Sequence, residues 1–218
     1  MKQKSLGNYY ETHDLELIEQ IVQGKNHLFE VLIRRYNQRL FRIGMSILGE
    51  EAEVEDAMQS AYMNAYEHLK RFEKRSSFGT WLTKIMLNQC FQQQKKMKKV
   101  VLTGMEHPEK AAYSETPEKV LINKELNKVL EQAIWKLPEK YRLVFVLREL
   151  EALSVRETSL TLEIDEPNVK VRLNRAKTML KDTLGSYMKA HTYQFHLDRC
   201  DRIVDGVLMK LGIQKQKM

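Results

Sequence analysis

Residues 154–181 read SVRETSLTLEIDEPNVKVRLNRAKTMLK, and their spacing predicts two helices joined by a tight turn. Ser154 with Glu157 three residues later has the pattern of a capping box, which starts the first helix. Asp165 is placed to cap the second, and Pro167 falls in its first turn, where no intrahelical N–H bond is lost. On that second helix Val169, Leu173, Ala176 and Leu180 recur at i, i+4, i+7 and i+11, which makes one narrow apolar stripe. The opposite face carries Asn168, Lys170, Val171, Asn174, Arg175, Thr178 and Lys181, and residues 168–181 hold five Lys or Arg and no acid. A short helix, a tight turn and a basic helix with one buried stripe suit the major groove of DNA. A helical hairpin with a solvated basic face would show the same pattern.

Outward from this stretch, the chain is poor in breakers. Its 218 residues contain 9 Gly and 4 Pro, and its Leu, Glu, Lys and Gln favour an all-α fold. The net charge of +7 is modest for this length, so the distribution of charge matters more than its sum. Cys90 and Cys200 are far apart and form no CxxC, which fits a reducing cytoplasm better than a disulfide framework. The first twenty residues hold no apolar run that could serve as a signal peptide, and no stretch approaches the roughly 18 apolar residues of a membrane span, so neither is expected.

Residues 14–24 read as a helix with an Asp cap and a Gly stop. Asn26 is placed to cap a second, on which Phe29, Leu32, Ile33, Tyr36, Leu40, Ile43 and Ile47 hold helical spacing up to Gly49. A third covers residues 50–69 and opens with Glu50, Glu51, Glu53, Glu55 and Asp56, which suits the positive end of a helix. Charge then reverses: residues 70–99 hold nine Lys or Arg and one acid, Glu73. They comprise a loop, RFEKRSSFG, and a fourth helix at about 80–96. Residues 97–116 read as a linker. Helices follow at about 117–135 and from Pro138 to about 150. The tail carries an apolar stripe of Leu197, Ile203, Val204, Val207, Leu208 and Leu211. It is expected to fold back on the second domain through a hinge at Gly185, with a waiting partner as the alternative.

The order of these features resembles a bacterial sigma factor of the extracytoplasmic-function (ECF) type, across residues 14–184. In the first half the resemblance rests on Phe29, Leu32 and Tyr36, on EVEDAMQSAY at residues 53–62, and on Phe72, FGTWL at residues 78–82, Ile85 and Asn88. In the second half it rests on Leu137-Pro138, Arg142, Val144-Phe145, LRELE at residues 147–151, Leu153-Ser154, Glu157, Leu162, Ile164, Val169-Lys170, Arg172-Leu173 and Arg175-Ala176. Departures include Val54, Ser60, Gln92 and Lys95, and Thr158, Ser159 and Glu163 in the helix-turn-helix. Glu163 stands where the family places the turn Gly, and Thr158 would bury a hydroxyl that needs a partner.

The resemblance implies sigma region 2 over residues 1–96, a linker over 97–116, a region 4 helix-turn-helix over 117–184 and a helical extension over 185–218. It implies that Glu55, Asp56, Gln59 and Tyr62 meet the β′ clamp helices of core RNA polymerase, an acidic face offered to a basic coiled coil. Lys74, Arg75, Ser76, Ser77 and Phe78, with Lys84 and Asn88, would hold the non-template strand of the −10 element. Single strands are held in this way by cationic grooves and pockets for splayed bases. The rings of Phe78 and Trp81 themselves read as core. For the −35 duplex, Lys170, Val171, Asn174 and Arg175 would lie nearest the bases, beside Asn168, with Arg172 and Lys177 on phosphates. Lys95, Lys96, Lys98 and Lys99 fit either a solvated helix end or phosphate contacts.

Further implied partners are the polymerase β flap, promoter DNA and an anti-sigma factor, with no small-molecule substrate. No cofactor is expected, and His196 with Cys200 is too little for a metal site. The sequence holds neither a Gly-rich phosphate loop nor a nucleophile motif, so the protein is not expected to be an enzyme. Two other classes share part of the pattern. A stand-alone operator-binding regulator would have no role for the acidic face or the basic loop. A helical adaptor would leave the basic helix incidental.

Overall fold

The computed structural model describes residues 9–102, 121–191 and 197–211, all helix and turn with no strand among them. α1 (Asp14–Val22) buries Leu17, Ile18 and Ile21. Asp14 does not cap it. The N-cap is His13, without a side-chain bond, and the Asp14 carboxylate accepts from Arg35 and Tyr36 on the next helix. That tie, with Arg35 donating to the carbonyls of Tyr10 and Thr12 at 2.9 and 2.8 Å, clamps the N-terminal turn onto the bundle. Gly24 ends the helix at φ +106°. Asn26 opens a 3-10 turn, Asn26–Leu28, and caps nothing; α2 (Phe29–Met45) starts straight from it.

α3 (Glu51–Glu67) and α4 (Phe78–Leu102) pack against α2. α3 turns Val54, Ala57, Ala61 and Ala65 inward, and these small side chains let the helices approach closely. At Gly44 of α2 a Cβ would come within 2.6 Å of Val54 Cγ1. α4 begins at Phe78, two residues before the expected Thr80, because the Ser77 hydroxyl accepts from the Thr80 N–H at 3.2 Å. It also runs on through the first residues of the expected linker. The rest of that linker, residues 103–116, and residues 117–120 lie outside the described residues, as does His196. Phe72, Phe78 and Trp81 pack on one another, and Phe78 meets Tyr36 edge to face, at centroid distances of 5.2–5.9 Å.

The second half comprises α5 (Leu121–Trp135), α6 (Glu139–Phe145), α7 (Val155–Leu162) and α8 (Glu166–His191). α6 passes into a π-helical turn, Val146–Leu150, which the Glu151 N–H closes on the Val146 carbonyl at 3.0 Å. Ala133, Leu137, Ala176 and Leu180 form a small core between α5 and α8. The larger core is shared: Leu143, Val146, Leu147 and Leu153 belong to one buried cluster with the apolar residues of α1–α4. The halves therefore pack against each other directly.

The tail departs from expectation. Gly185 is no hinge, since α8 runs through it to His191. On α9 (Leu197–Leu211) Ile203, Val204, Val207 and Leu211 of the stripe are exposed and Leu208 is half-buried, so these four side chains are not covered by the second half. No described helix is long and apolar enough to cross a membrane.

Candidate nucleic-acid interface

The helix-turn-helix forms as its sequence spacing predicts. Both arms of the capping box are present: the Ser154 N–H donates to Glu157 Oε2 at 2.8 Å, and the Glu157 N–H to Ser154 Oγ at 3.1 Å. The buried Thr158 hydroxyl finds its partner by donating back to the Ser154 carbonyl at 2.9 Å. Glu163 takes the left-handed conformation (φ 54°, ψ 42°) that the turn needs. The Ile164 N–H closes that turn on the Ser159 carbonyl at 3.2 Å. Asp165 accepts from the Asn168 N–H at 2.6 Å, satisfying one of the orphan donors at the start of α8. Val169, Ala176 and Leu180 are buried and Leu173 half-buried. Asn168, Lys170, Val171, Asn174, Arg175, Thr178 and Lys181 are all exposed.

Two cations on or beside this face are engaged, and a third is turned toward the first half. Arg175 donates to the Tyr141 hydroxyl at 3.2 Å, and this bond holds the phenol pKa below its usual value. Lys177 pairs with Glu149 at 2.9 Å. Arg172 is half-buried and faces the first half, where it lines a cleft of about 350 Å³ with Lys84, Asn88, Glu139 and Glu163.

In the first half, Glu55, Asp56 and Gln59 lie exposed along α3. Tyr62 does not join them. Its ring is buried, its hydroxyl donates to the Ile33 carbonyl at 3.0 Å and meets Asn37 Oδ1 at the same distance, and burial raises its pKa. Phe78, placed in the strand-binding loop by the resemblance, has its ring in the core, as its neighbours in sequence lead one to expect, at the start of α4 against Tyr36 and Phe72. Lys74, at φ 57°, pairs with Glu19 at 2.7 Å, and Arg75 with Glu73 at 2.7 Å. The Ser76 hydroxyl donates to the Ser77 carbonyl at 3.3 Å.

Ser77 and Lys84 are held from the other half. The Ser77 and Thr80 hydroxyls donate to Glu157 Oε1 at 3.3 and 3.1 Å. Lys84 Nζ meets Glu163 Oε1 at 2.7 Å. Both carboxyls consequently have lowered pKa values. For Glu157 the main cause is the Ser154 backbone N–H, ahead of the hydroxyls of Ser154, Thr80 and Ser77; for Glu163 it is Lys84. Further along, Gln94 donates to Glu139 at 2.9 Å. Arg39 and Arg42 converge on the buried Glu151 carboxylate at 3.4 and 3.2 Å. Neither arginine was picked out in the sequence. The available signal was the row Arg35, Arg39 and Arg42 on α2, at spacings of four and three.

Compared with known proteins, residues 32–99 match Sigma-70 region 2 and residues 128–180 match Sigma-70 region 4. The ECF RNA polymerase sigma factor SigW of Bacillus subtilis (strain 168) is 30% identical over 176 residues, covering 77% of this chain and 94% of SigW. The ECF sigma-E factor of Escherichia coli (strain K12) is 27% identical over 179 residues, covering 75% and 90%. The fold is shared with the sigma factor RpoE of Bartonella quintana, solved with the anti-sigma factor NepR. That match has a TM-score of 0.60 at 20% identity and covers 72% of this chain and 96% of that one. It is shared too with CnrH, solved with the cytosolic domain of CnrY, at a TM-score of 0.59 and 23% identity, covering 78% and 96%. The chain belongs to the ECF family of RNA polymerase sigma factors. As such it directs promoter recognition in transcription initiation.

Proposed function

We propose that residues 1–96 form the unit that binds the polymerase clamp and reads the melted −10 strand, and that residues 117–184 read the −35 duplex. The reading is carried by α8, whose exposed Lys170, Val171, Asn174 and Arg175 stand over the buried Val169–Ala176–Leu180 stripe. A helix anchored on one side and basic on the other fits a major groove. Asn168 closes the face at its N-terminal end, and Arg172 and Lys177 at its edges fit phosphates. In the first half, the exposed Glu55, Asp56 and Gln59 supply an acidic patch to steer onto the basic clamp helices. Lys74, Arg75, Ser76, Ser77, Lys84 and Asn88 line the single strand.

The polymerase performs the chemistry, so the chain acts without catalytic residues of its own and without a cofactor. It works in the cytoplasm where polymerase is, and an anti-sigma factor restrains it. The test is run-off transcription with reconstituted holoenzyme on promoters mapped after overexpression. Replacing Asn174 or Arg175 by Ala should cost about 1–3 kcal/mol of promoter binding and relax the preference at one −35 position, whereas Lys177→Ala should weaken all sequences alike. Undiminished transcription from all three variants, or failure of core polymerase to co-purify with the tagged chain, would favour a stand-alone operator-binding regulator.

A further inference from the structure

Two cations of α8 are held by side chains from α6 and the turn after it, and they are held differently. Lys177 is paired with the Glu149 carboxylate at 2.9 Å. Arg175 donates instead to a neutral oxygen, the Tyr141 hydroxyl, at 3.2 Å. A carboxylate cancels the charge of its partner and competes with phosphate for it. A phenol orients a cation and leaves its charge for the DNA. Tyr141 is also built as a fixed point. Its ring packs on the small core of Ala133, Leu137, Ala176 and Leu180, with Lys140 Nζ 5.0 Å over its face. Its N–H closes the first turn of α6 on the Pro138 carbonyl at 2.9 Å. The next residue, Arg142, is buried and ties that turn to the end of α5 by donating to the Trp135 carbonyl at 2.5 Å. Ala176, the neighbour of Arg175 in sequence, belongs to the core that holds the ring. Both ends of the Tyr141–Arg175 bond are therefore referred to one rigid body, while the Arg175 side chain itself stays exposed.

We propose that Tyr141 is a positioning residue that sets the base preference of Arg175, by holding its guanidinium in the orientation that offers a pair of free N–H donors to a guanine of the −35 duplex. This rests on the assignment of Arg175 to a −35 base, given above. Arginine reads guanine through parallel bonds to O6 and N7. The bond to Tyr141 spends one N–H of Nη1 and leaves Nη2, Nε and the other Nη1 hydrogen for the base. Adenine places a donor where guanine has O6, so a guanidinium fixed in the guanine pose meets adenine with an N–H unpaired. A guanidinium free to swing escapes that penalty by turning to a phosphate or a neighbouring base. Arginine has much rotamer freedom to lose on binding, and the phenol removes part of it before DNA arrives. Loss of the phenol oxygen should therefore cost discrimination more than affinity. The two base-contacting neighbours also differ here: Arg175 has a post from α6 behind it.

Tyr141→Phe tests this, because it keeps the ring in its core and removes only the oxygen. Wild type, Y141F, R175A and Y141F/R175A are each assembled, as full chains, into holoenzyme with core polymerase. The holoenzymes transcribe a promoter library randomised across the −35 element, and base preference is read from transcript enrichment. At the position that R175A relaxes, Y141F should lower the preference for guanine over adenine by about twofold to tenfold. It should leave the preferences at other positions and the affinity for core polymerase as in wild type. In the R175A background it should change nothing further. A merely structural Tyr141 would instead lower holoenzyme formation, or weaken all −35 sequences alike. Either of those results overturns the proposal, as does an unaltered preference in Y141F where R175A relaxes it. Failure of the underlying assignment looks different. If R175A relaxes no position, or one that does not hold guanine, Arg175 is not the guanine reader and the proposal falls through its premise.

Discussion

Gly49→Ala gives the most direct measure of how firmly the halves are joined. Gly49 sits at φ +78°, so a Cβ there costs about 1–2 kcal/mol in the left-handed region whatever surrounds it. The same Cβ would stand 3.0 and 3.1 Å from Cη2 and Cζ2 of Trp135, closer than ordinary carbon contacts. Overpacking of this kind costs about 1–3 kcal/mol. Trp135 is 38% exposed and stacked on Arg142 at 3.9 Å, so its ring can yield on its open side and the lower figure applies. The sum is about 2–3 kcal/mol, of which about 1 kcal/mol depends on Trp135. Urea unfolding followed by far-ultraviolet circular dichroism, on wild type, G49A, W135A and G49A/W135A, separates the two parts. The cycle also cancels the lost Arg142 stacking. G49A should cost about 1 kcal/mol less in the W135A background. An equal cost in both backgrounds would mean that Trp135 does not rest on Gly49 in solution, and the docked arrangement would lose one of its apolar contacts.

Three further outcomes follow from the site. Asp56→Ala with Gln59→Ala should weaken core-polymerase binding and leave helicity unchanged; an unaltered affinity in a quantitative pull-down removes these residues from the interface. A neutral loop of equal length at residues 74–77 should spare core binding and lower open-complex formation on duplex promoters, with partial rescue on a template already melted at the −10 element. Undiminished run-off from the duplex refutes that role. The third outcome concerns pH. The Glu157 pKa is lowered from 4.5 on folding, so its stabilising contribution is complete above that value and is lost as pH falls through the lower, folded one. Stability measured in urea should therefore show no change from this group near neutrality. It should fall below about pH 4.5, and Glu157→Gln should make that fall shallower; an unchanged acid limb shows that the carboxylate is not held as described.

What could be read from the sequence was local. The capping box of Ser154 and Glu157, the Asp165 cap, the Val169 stripe and the Gly24 stop each depend on neighbours within a turn or two, and each is found, whereas α2 stops at Met45, four residues short of the expected Gly49. Asp14 and Asn26 have the same local credentials as caps, and they fail for a tertiary reason. The Asp14 carboxylate is taken by Arg35 and Tyr36, and Asn26 enters a 3-10 turn. Tyr62 shares the α3 surface pattern with Asp56 and Gln59 by spacing. Its hydroxyl, though, finds two acceptors on α2, enough to carry the ring inward. The docking of the halves was not legible at all. Arg42 meets Glu151 across 109 positions of sequence, and neither residue's surroundings in the chain announce the other. In the tail, a strongly patterned helix suggested burial that the described residues do not show, because periodicity says which face is apolar and not what covers it.

The shared core has a meaning for the chain as it is made. A polypeptide emerges from the ribosome N-terminus first, at about 5–20 residues per second. α1–α4 are complete at Leu102, whereas the side chains that finish their core come from Leu143 to Leu153. Between those points lie some fifty residues of synthesis, roughly 3–10 s. During that interval the newborn first half shows water the apolar ground that Leu147 later occupies, and its arginines lack Glu151. Before its halves can dock, every molecule thus passes once through an undocked form, at the site where it is translated.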